Sequence, residues 1–426
     1  MKNINGLLLG AGASCELAMP LVWELTEEIY DFLTPTQLRD FNNNWKKMRC
    51  GYPDDIIELI CKFLDKKEFH YESLIGAVEL EIKRTYGNNA KHQSLYSFKE
   101  WLIQFIYHLL YYRQINNTKF ISECLPLYRG IKYICEISKP LWVFSLNHDM
   151  NIEIIANDNN IKIKNGFNSE YLLKYKFKNN ISEINCDYLS RADITKNKLD
   201  FYKPGEEGIN LLKLHGSLDI FAKGDEKSYL KLKPEASSFQ GILNPLKRIN
   251  TDAHYTPNKV HVINQITYLD ENDEIQFLQR SILTGAYKFE NPQVAPIEFL
   301  KAFESNILSC DNFYVIGYSF SDLHINSVLK NWLSFSNKRN MFIVDPYPKL
   351  PSDMDHLRPQ IRIIKKSFPE FLIDISNSDN KKELIKLNKR YKIKYKFARS
   401  KLGKRVKKIL KKIITDFEKR FITEDL

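Results

Sequence analysis

Apolar residues follow two rhythms along this chain. INGLLLG (4–10) is a short continuous apolar run that breaks at Gly10-Ala11-Gly12-Ala13-Ser14. After Pro20 the spacing changes: Leu21, Leu25, Ile29 and Phe32 recur at i, i+4, i+8 and i+11. A short run ended by glycine reads as a buried strand, and the second spacing reads as one face of a helix. The predicted opening is therefore strand, glycine turn, helix. Residues 33–135 keep the helical rhythm, as in DDIIELICKFLD and YESLIGAVELEIKR, and show no clear strand. Strand-like runs return at LWVFSL (141–146), IKIKNGF (161–167), INLLKLHGS (209–217), KVHVIN (259–264), NFYVIGYSF (312–320) and NMFIVDPYP (340–348). A helical stretch, HINSVLKNWL (324–333), separates the last two. Such alternation predicts an α/β fold: a doubly wound, mostly parallel, Rossmann-like sheet with a large helical insertion at 33–135.

The end of the chain has a different pattern. Leu402, Val406, Ile409, Leu410, Ile413, Ile414, Phe417 and Phe421 form one narrow apolar stripe on an otherwise basic helix. From Lys381 to Leu426 there are 18 Lys/Arg and 5 Asp/Glu, a net +13; the rest of the chain has 45 basic and 47 acidic residues, a net −2. The overall charge of +11 is thus a near-neutral body, 1–375, with a basic amphipathic helical tail, 376–426. Such a tail suits docking on the body or another subunit, nucleic-acid contact through 381–426, or a membrane surface, and docking is the preferred reading.

Composition removes several classes. Hydrophobic residues make up 43% and aromatics 13%, enough for a packed core rather than a linker. No apolar run reaches the roughly 18 residues of a membrane span, and Trp101 to Tyr112 reads as a core helix. Leu7 to Leu9 is too short for a signal-peptide core, so a cytoplasmic protein is expected. Seven cysteines, with no C-x-x-C pair, argue against a disulfide framework and a structural zinc.

The candidate chemistry lies where the predicted strands end. GAGAS (10–14) offers glycines for close backbone approach and a following helix N-terminus for a phosphate. SLNHD (145–149) places Asn147, His148 and Asp149 together after a strand. KLHGS (213–217) puts His215 at another strand end, where an imidazole suits a general base. In GYSFSD (317–322), Gly317, Ser319 and Asp322 suit a nucleotide phosphate or ribose, and Asp345 in VDP suits a ribose diol. In a parallel sheet all five ends face one edge, the edge where open α/β sheets place ligands.

GAGAS, SLNHD, KLHGS and GYSFSD, in this order over roughly residues 4 to 350, resemble the motif series of the sirtuin-like superfamily. The arginine-containing stretch that follows the glycine turn in deacylase sirtuins is LAMPLVWELT here, and only Cys310 follows His215, so the four-cysteine zinc module has no counterpart. The chain is more similar to the zinc-less branch of bacterial antiphage effectors. That resemblance implies hydrolysis of NAD+, as substrate, to ADP-ribose and nicotinamide, with no metal. It implies that Asn147 positions the attacking water or the nicotinamide ribose. Asp149 holds the nicotinamide side or braces the loop, and His215 binds ribose hydroxyls and serves as base. Gly10, Ala11, Gly12, Ala13 and Ser14 cradle the pyrophosphate, and Gly317, Ser319, Asp322 and Asp345 serve the rest of the nucleotide, Ser319 and Asp345 facing its adenosine half. His148 is given no catalytic role. The resemblance further implies a homo-oligomer and an activating partner, such as a short Argonaute, an ATPase or a phage protein. Competing expectations are a nucleotide-binding sensor without turnover and a sirtuin-type deacylase or ADP-ribosyltransferase.

Overall fold

The computed structural model describes residues 4–66, 70–177, 180–224, 228–253, 263–285, 298–376 and 380–423, with side chains of the last segment as far as Thr415. Strand β1 (Asn5–Leu9) runs into a 3-10 segment (Ala11–Leu17) and helix α1 (Val22–Phe32). Six helices follow before the next strand: α2 (Pro35–Lys47), α3 (Asp54–Lys66), α4 (Tyr71–Arg84), α5 (Asn89–Asn116), α6 (Thr118–Cys124) and α7 (Gly130–Ile137). Next come β2 (Leu141–Ser145), α8 (Asn151–Asp158), β3 (Ile163–Lys164), β4 (Ser169–Phe177), β5 (Asn180–Leu189), α9 (Arg191–Thr195) and β6 (Ile209–Lys213). Then follow β7 (Gly216–Lys223), β8 (Ser228–Leu232), α10 (Phe239–Asp252), β9 (Gln265–Leu269), β10 (Ile275–Ile282), α11 (Glu298–Ile307) and β11 (Asn312–Ile316). The chain continues through α12 (Leu323–Ser334), β12 (Asn340–Val344), β13 (Ile361–Ile364), α13 (Phe368–Ile375) and α14 (Lys381–Thr423).

Seven strands form one sheet in the order β13-β12-β11-β1-β2-β6-β3, and every neighbouring pair is parallel. β1 is central: the chain leaves it for β2 on one side and later returns to β11 on the other. That change of direction opens a crevice beyond the carboxyl end of β1. Both faces of the sheet are covered. Leu7, Leu9, Val143 and Leu211 point into one apolar core, and Leu8, Phe144, Leu212 and Val315 into the other. Burial on both sides explains why these strands read as unbroken apolar runs.

The helical insertion fills the first core. The long helix α5 buries residues around much of its circumference, among them Phe98, Leu102, Phe105, Ile106 and Leu109. Among the described residues, 33–135 contains no strand, as its rhythm predicts.

A second sheet departs from the sequence expectation. Six antiparallel strands close into a barrel in the order β10-β7-β8-β5-β4-β9. Strands β7 and β8 are buried nearly throughout, but the outer face of β4 and β5 is wet, so their central residues are buried alternately: Leu173 and Tyr175 on one, Ile184 and Cys186 on the other. The partners Lys174 and Glu183 face outward across the same pair. One-sided burial dilutes the apolar signal with charge, and SEYLLKYKF resembles a polar loop unless it is read at period two. Strand β13 was also absent from the sequence reading. IKIKNGF contributes only the two-residue β3, and most of KVHVIN, 259–262, lies outside the described residues.

The tail is a single helix of 43 residues that lies on the body. Tyr391, Tyr395, Leu402, Val406 and Leu410 are buried within the same core as α1, α5 and α13. Lys392 pairs with Glu370 at 2.5 Å and Lys407 with Asp31 at 2.8 Å. No described helix is long and apolar enough to cross a membrane. Docking should depend on the apolar seam: Val406→Asp, which buries a charge where Val406 is fully enclosed, costs at least about 2 kcal/mol. Limited proteolysis should then cut within 381–423 well before the body; unchanged cleavage would place the docking energy elsewhere.

Candidate functional site

The 3-10 segment after β1 and the loop after β11 are packed backbone to backbone. Gly10 N donates to Ile316 O at 3.0 Å and Gly12 N to Gly317 O at 2.9 Å. A methyl group on Gly12 would stand 2.7 Å from the Gly317 Cα. Gly317 itself has φ +61°, and a Cβ there would lie 2.3 Å from the Ala13 nitrogen. The glycines of GAGAS are therefore required first by this loop-to-loop contact. The same loop holds Phe320 at φ +57°, a conformation that bulky residues rarely adopt; Asn326 Nδ2 fixes it by donating to Phe320 O at 2.8 Å.

Asn147 is tied across this glycine loop. Its Nδ2 donates to Gly10 O at 2.8 Å and to Ser14 Oγ at 3.1 Å. A carbonyl can only accept, so the amide orientation is determined, and Oδ1 is the atom left for a ligand. Ser14 also hydrogen-bonds the Asp149 carboxylate. Asp149 Oδ1 accepts from Asn151 N at 3.0 Å, at the start of α8. Burial pushes the Asp149 carboxyl up, against the opposing pull of Lys213. These contacts tie Asp149 to the glycine loop and to α8.

Beneath this loop lies Lys213, the last residue of β6, 4% exposed. Its Nζ donates to Asp149 O and, at 3.4 Å, to Asn147 O, and it lies 3.4 Å from Glu153 Oε2. Lys231 pairs with Asp219 and approaches Glu153 at 3.4 Å. This buried network joins sheet, barrel and α8 under the SLNHD loop. Helix α5 adds Gln114, whose Oε1 accepts from Met150 N at 3.2 Å.

His215 occupies the junction between sheet and barrel. Leu214 N bonds Ser145 O at 2.9 Å, and His215 O accepts from Leu283 N at 2.9 Å. Gly216, at φ +75°, leads into β7, where a Cβ would lie 2.1 Å from Ser281 O. The His215 Nε2 lies 3.3 Å from Asp322 Oδ2. Asp322, expected on the nucleotide, caps α12, its Oδ1 accepting from His324 N at 3.1 Å and Ile325 N at 3.4 Å. Its second oxygen is thereby held toward the histidine. Tyr318 steadies the turn, its hydroxyl accepting from Asp322 N at 3.1 Å.

All five strand ends open on one cavity of about 540 Å³, within the usual range of ligand sites. Asn147, Asp149 and His215 line it together with Gly10, Ala11, Gly12 and Ser14, and Gly317, Ser319, Asp322 and Asp345 line it from the other loops. Ala13 is buried behind the wall. Ser319 is exposed at the mouth. Asp345 is half-buried, burial pushing its carboxyl up, and its Oδ1 accepts from Tyr347 N at 2.7 Å. The helical insertion supplies the opposite wall through His70, Tyr71 and Glu72, and Trp23 on α1 stands beside His70 with ring centroids 5.9 Å apart. Burial, then Glu16, pushes the thiol of neighbouring Cys15 well above its ordinary range, which disfavours the thiolate. Among the described residues no cluster of three His, Cys, Asp or Glu could hold a metal.

The tail also reaches this site. Arg399 of α14 donates to Cys15 O at 3.2 Å and pairs with Glu24, a cavity residue, at 3.0 Å. Arg113 of α5, 1% exposed, donates to Ala18 O at 3.2 Å and to Arg399 O at 3.3 Å, and pairs with Glu28. Sequence reasoning missed Lys213, Arg113 and Arg399. The first two left a trace, a lone cation in an apolar run. Arg399, one of many basic residues in its helix, left none.

Two substitutions test this construction. Gly317→Ala should cost about 2 kcal/mol or more in denaturant unfolding, since both φ and space oppose a methyl group. Arg399→Ala, on a partly exposed ion pair, should cost less stability but should weaken nucleotide binding measured by calorimetry; equal affinity would show that the 3-10 segment keeps its shape without the tail.

No protein-family model matches the chain, and no curated protein matches it. A solved structure described as the structural basis for the mechanism and regulation of Sir2 enzymes is similar over 62% of this chain and 72% of its own, at 13% identity and a TM-score of 0.31. A likeness of that size supports no conclusion about chemistry, and the site is read from its own geometry.

Proposed function

We propose that the cavity hydrolyses NAD+ to ADP-ribose and nicotinamide. The observation that carries this reading is the convergence of the glycine loop, Asn147 and the His215–Asp322 pair on one cavity of about 540 Å³. In this reaction the bond between the ribose C1′ and the pyridinium nitrogen breaks. Its electron pair passes to that nitrogen, and nicotinamide leaves neutral. Water attacks C1′ and gives up a proton. Such chemistry needs a held substrate, excluded solvent and one positioned water more than a strong nucleophile.

The residues divide that work. Asn147 Oδ1, its amide nitrogen already committed to Gly10 and Ser14, is an acceptor suited to orienting the water. His215 accepts the proton, and Asp322 orients the imidazole and stabilises its charged form. Asp149 and Lys213 keep the Asn147 loop in shape. The glycine loop and the α12 side hold the two phosphates, and Asp345 takes a ribose hydroxyl.

The sequence resemblance extends the proposal to an NAD-depleting antiphage effector, assembled as a homo-oligomer and held silent until a partner protein engages it. Its cellular test is the NAD content of phage-infected cells, which should fall with the wild-type chain and hold with Asn147→Ala.

The direct test is chromatography of NAD+ incubated with purified protein, with and without infected-cell lysate. Asn147→Ala and His215→Ala should each lower turnover by at least about 100-fold, and Asp322→Asn should lower it less. His215→Ala should retain the melting temperature, whereas Asn147→Ala should lose about 1–3 kcal/mol of stability with its two buried hydrogen bonds. Binding of NAD+ without turnover under either condition would favour a sensor. Release of nicotinamide only with an acylated peptide present would favour a deacylase.

A further inference from the structure

The docked position of α14 decides what its outer face can bind. Tyr391, Tyr395, Leu402, Val406 and Leu410 are buried against the body, so the apolar stripe is consumed inside the molecule as far as Leu410. A bilayer-surface helix needs a broad free apolar face, and among the described residues the large apolar side chains that α14 leaves exposed, Ile385, Ile393, Phe397 and Ile413, are set among lysines and arginines. The opposite face is basic. Between Leu384 and Thr415 there are 14 Lys or Arg and no Asp or Glu. Three of the 14 meet carboxylates of the body: Lys392 with Glu370, Arg399 with Glu24 and Lys407 with Asp31.

Lys386, Arg390, Lys394, Lys401, Lys404 and Lys408 recur at three, four and seven residues and so share one side of the helix, opposite the buried stripe. All six are exposed, and none has a carboxylate partner among the described residues. They span about 33 Å at 1.5 Å per residue. Like charges at i and i+4 destabilise a helix, so this row costs the isolated chain stability and gains from a polyanion that neutralises it. Duplex nucleic acid offers that match, with one phosphate charge per roughly 1.7 Å of axis. Single-strand binders add rows of stacking aromatics, whereas this face carries Phe397, 69% exposed, beside Ile393.

We infer that the outer face of α14 binds the phosphate backbone of duplex nucleic acid without reading its bases. The rest of the chain is near neutral, so binding should depend on this helix alone. The inference does not rest on the reaction proposed for the cavity.

The test is fluorescence anisotropy of a labelled, arbitrary-sequence DNA duplex titrated with full-length protein. Binding should be measurable at 50 mM salt and weaker by about 40- to 150-fold at 200 mM, the dependence expected for three or four phosphate contacts. The combined substitution Arg390→Glu, Lys404→Glu and Lys408→Glu should abolish it with the melting temperature unchanged. A milder pair, Lys386→Gln with Lys401→Gln, should weaken it part way. No binding by the wild-type chain at 50 mM salt, equal binding by the triple variant, or tighter binding to vesicles of anionic phospholipid than to the duplex would each overturn the inference.

Discussion

Gly12 and Gly317 meet with no room between them for a methyl group, and the candidate site is built outward from that contact. It brings the ends of β1 and β11 together at the crevice where the sheet changes direction. It turns the Gly10 carbonyl toward Asn147, whose side chain then spans from Gly10 to Ser14. It also fixes the start of the turn in which Asp322 reaches His215. Two of the five strand ends are thus linked through backbone close enough to exclude side chains, and two more are joined to them through the side chains of Asn147 and His215. A phosphate loop of this kind owes its glycines to its neighbour as much as to any ligand.

Polar side chains at strand ends are costly to hold in one arrangement unless their own neighbours are satisfied. Here the support is ionic and buried. Lys213 donates to two carbonyls of the SLNHD loop, with Glu153, Lys231 and Asp219 continuing below. Removing one member would leave uncompensated charge in the interior, so the network is worth more as a unit than pair by pair. It also gives the barrel a purpose in the fold. Lys231 and Asp219 come from barrel strands β8 and β7, and His215 stands where the sheet passes into β7. The barrel therefore closes the underside of the site.

The sheet was legible because its strands are buried on both faces: GLLL, LWVF, INLL, FYVI and MFIV appear as bare apolar runs, each ending in the residues that line the cavity. The period-two strands β4 and β5 of the barrel were not, because much of each faces water and carries Lys, Glu or Asn. Site residues at strand ends were visible for the same reason as the strands. Those arriving from elsewhere were hidden. Trp23, His70 and Glu72 come from helices whose rhythm says only that they pack. The helix after Asp322 was legible in HINSVLKNWL, but nothing in GYSFSD reveals that its cap turns the second carboxylate oxygen toward His215.

The tail raises the question of whether its outer face and the cavity communicate. Arg399 holds the 3-10 segment by the Cys15 carbonyl and Glu24, so displacing α14 would loosen the glycine loop. Binding on the outer face displaces the helix only if the ligand prefers the undocked state. Lys386, Arg390, Lys394, Lys401, Lys404 and Lys408 are exposed in the docked helix already, and their contacts with phosphate are available either way. Undocking would free Lys392, Arg399 and Lys407, each of which would first give up its carboxylate, and Lys381, which would give up the Asp374 carbonyl. It would also expose five apolar side chains, each worth about 1.5–3 kcal/mol for full burial of a large residue. The differential is thus unfavourable. A polyanion bound along this face leaves the clamp on the glycine loop in place, so such a surface recruits the protein to its ligand without opening or closing the site.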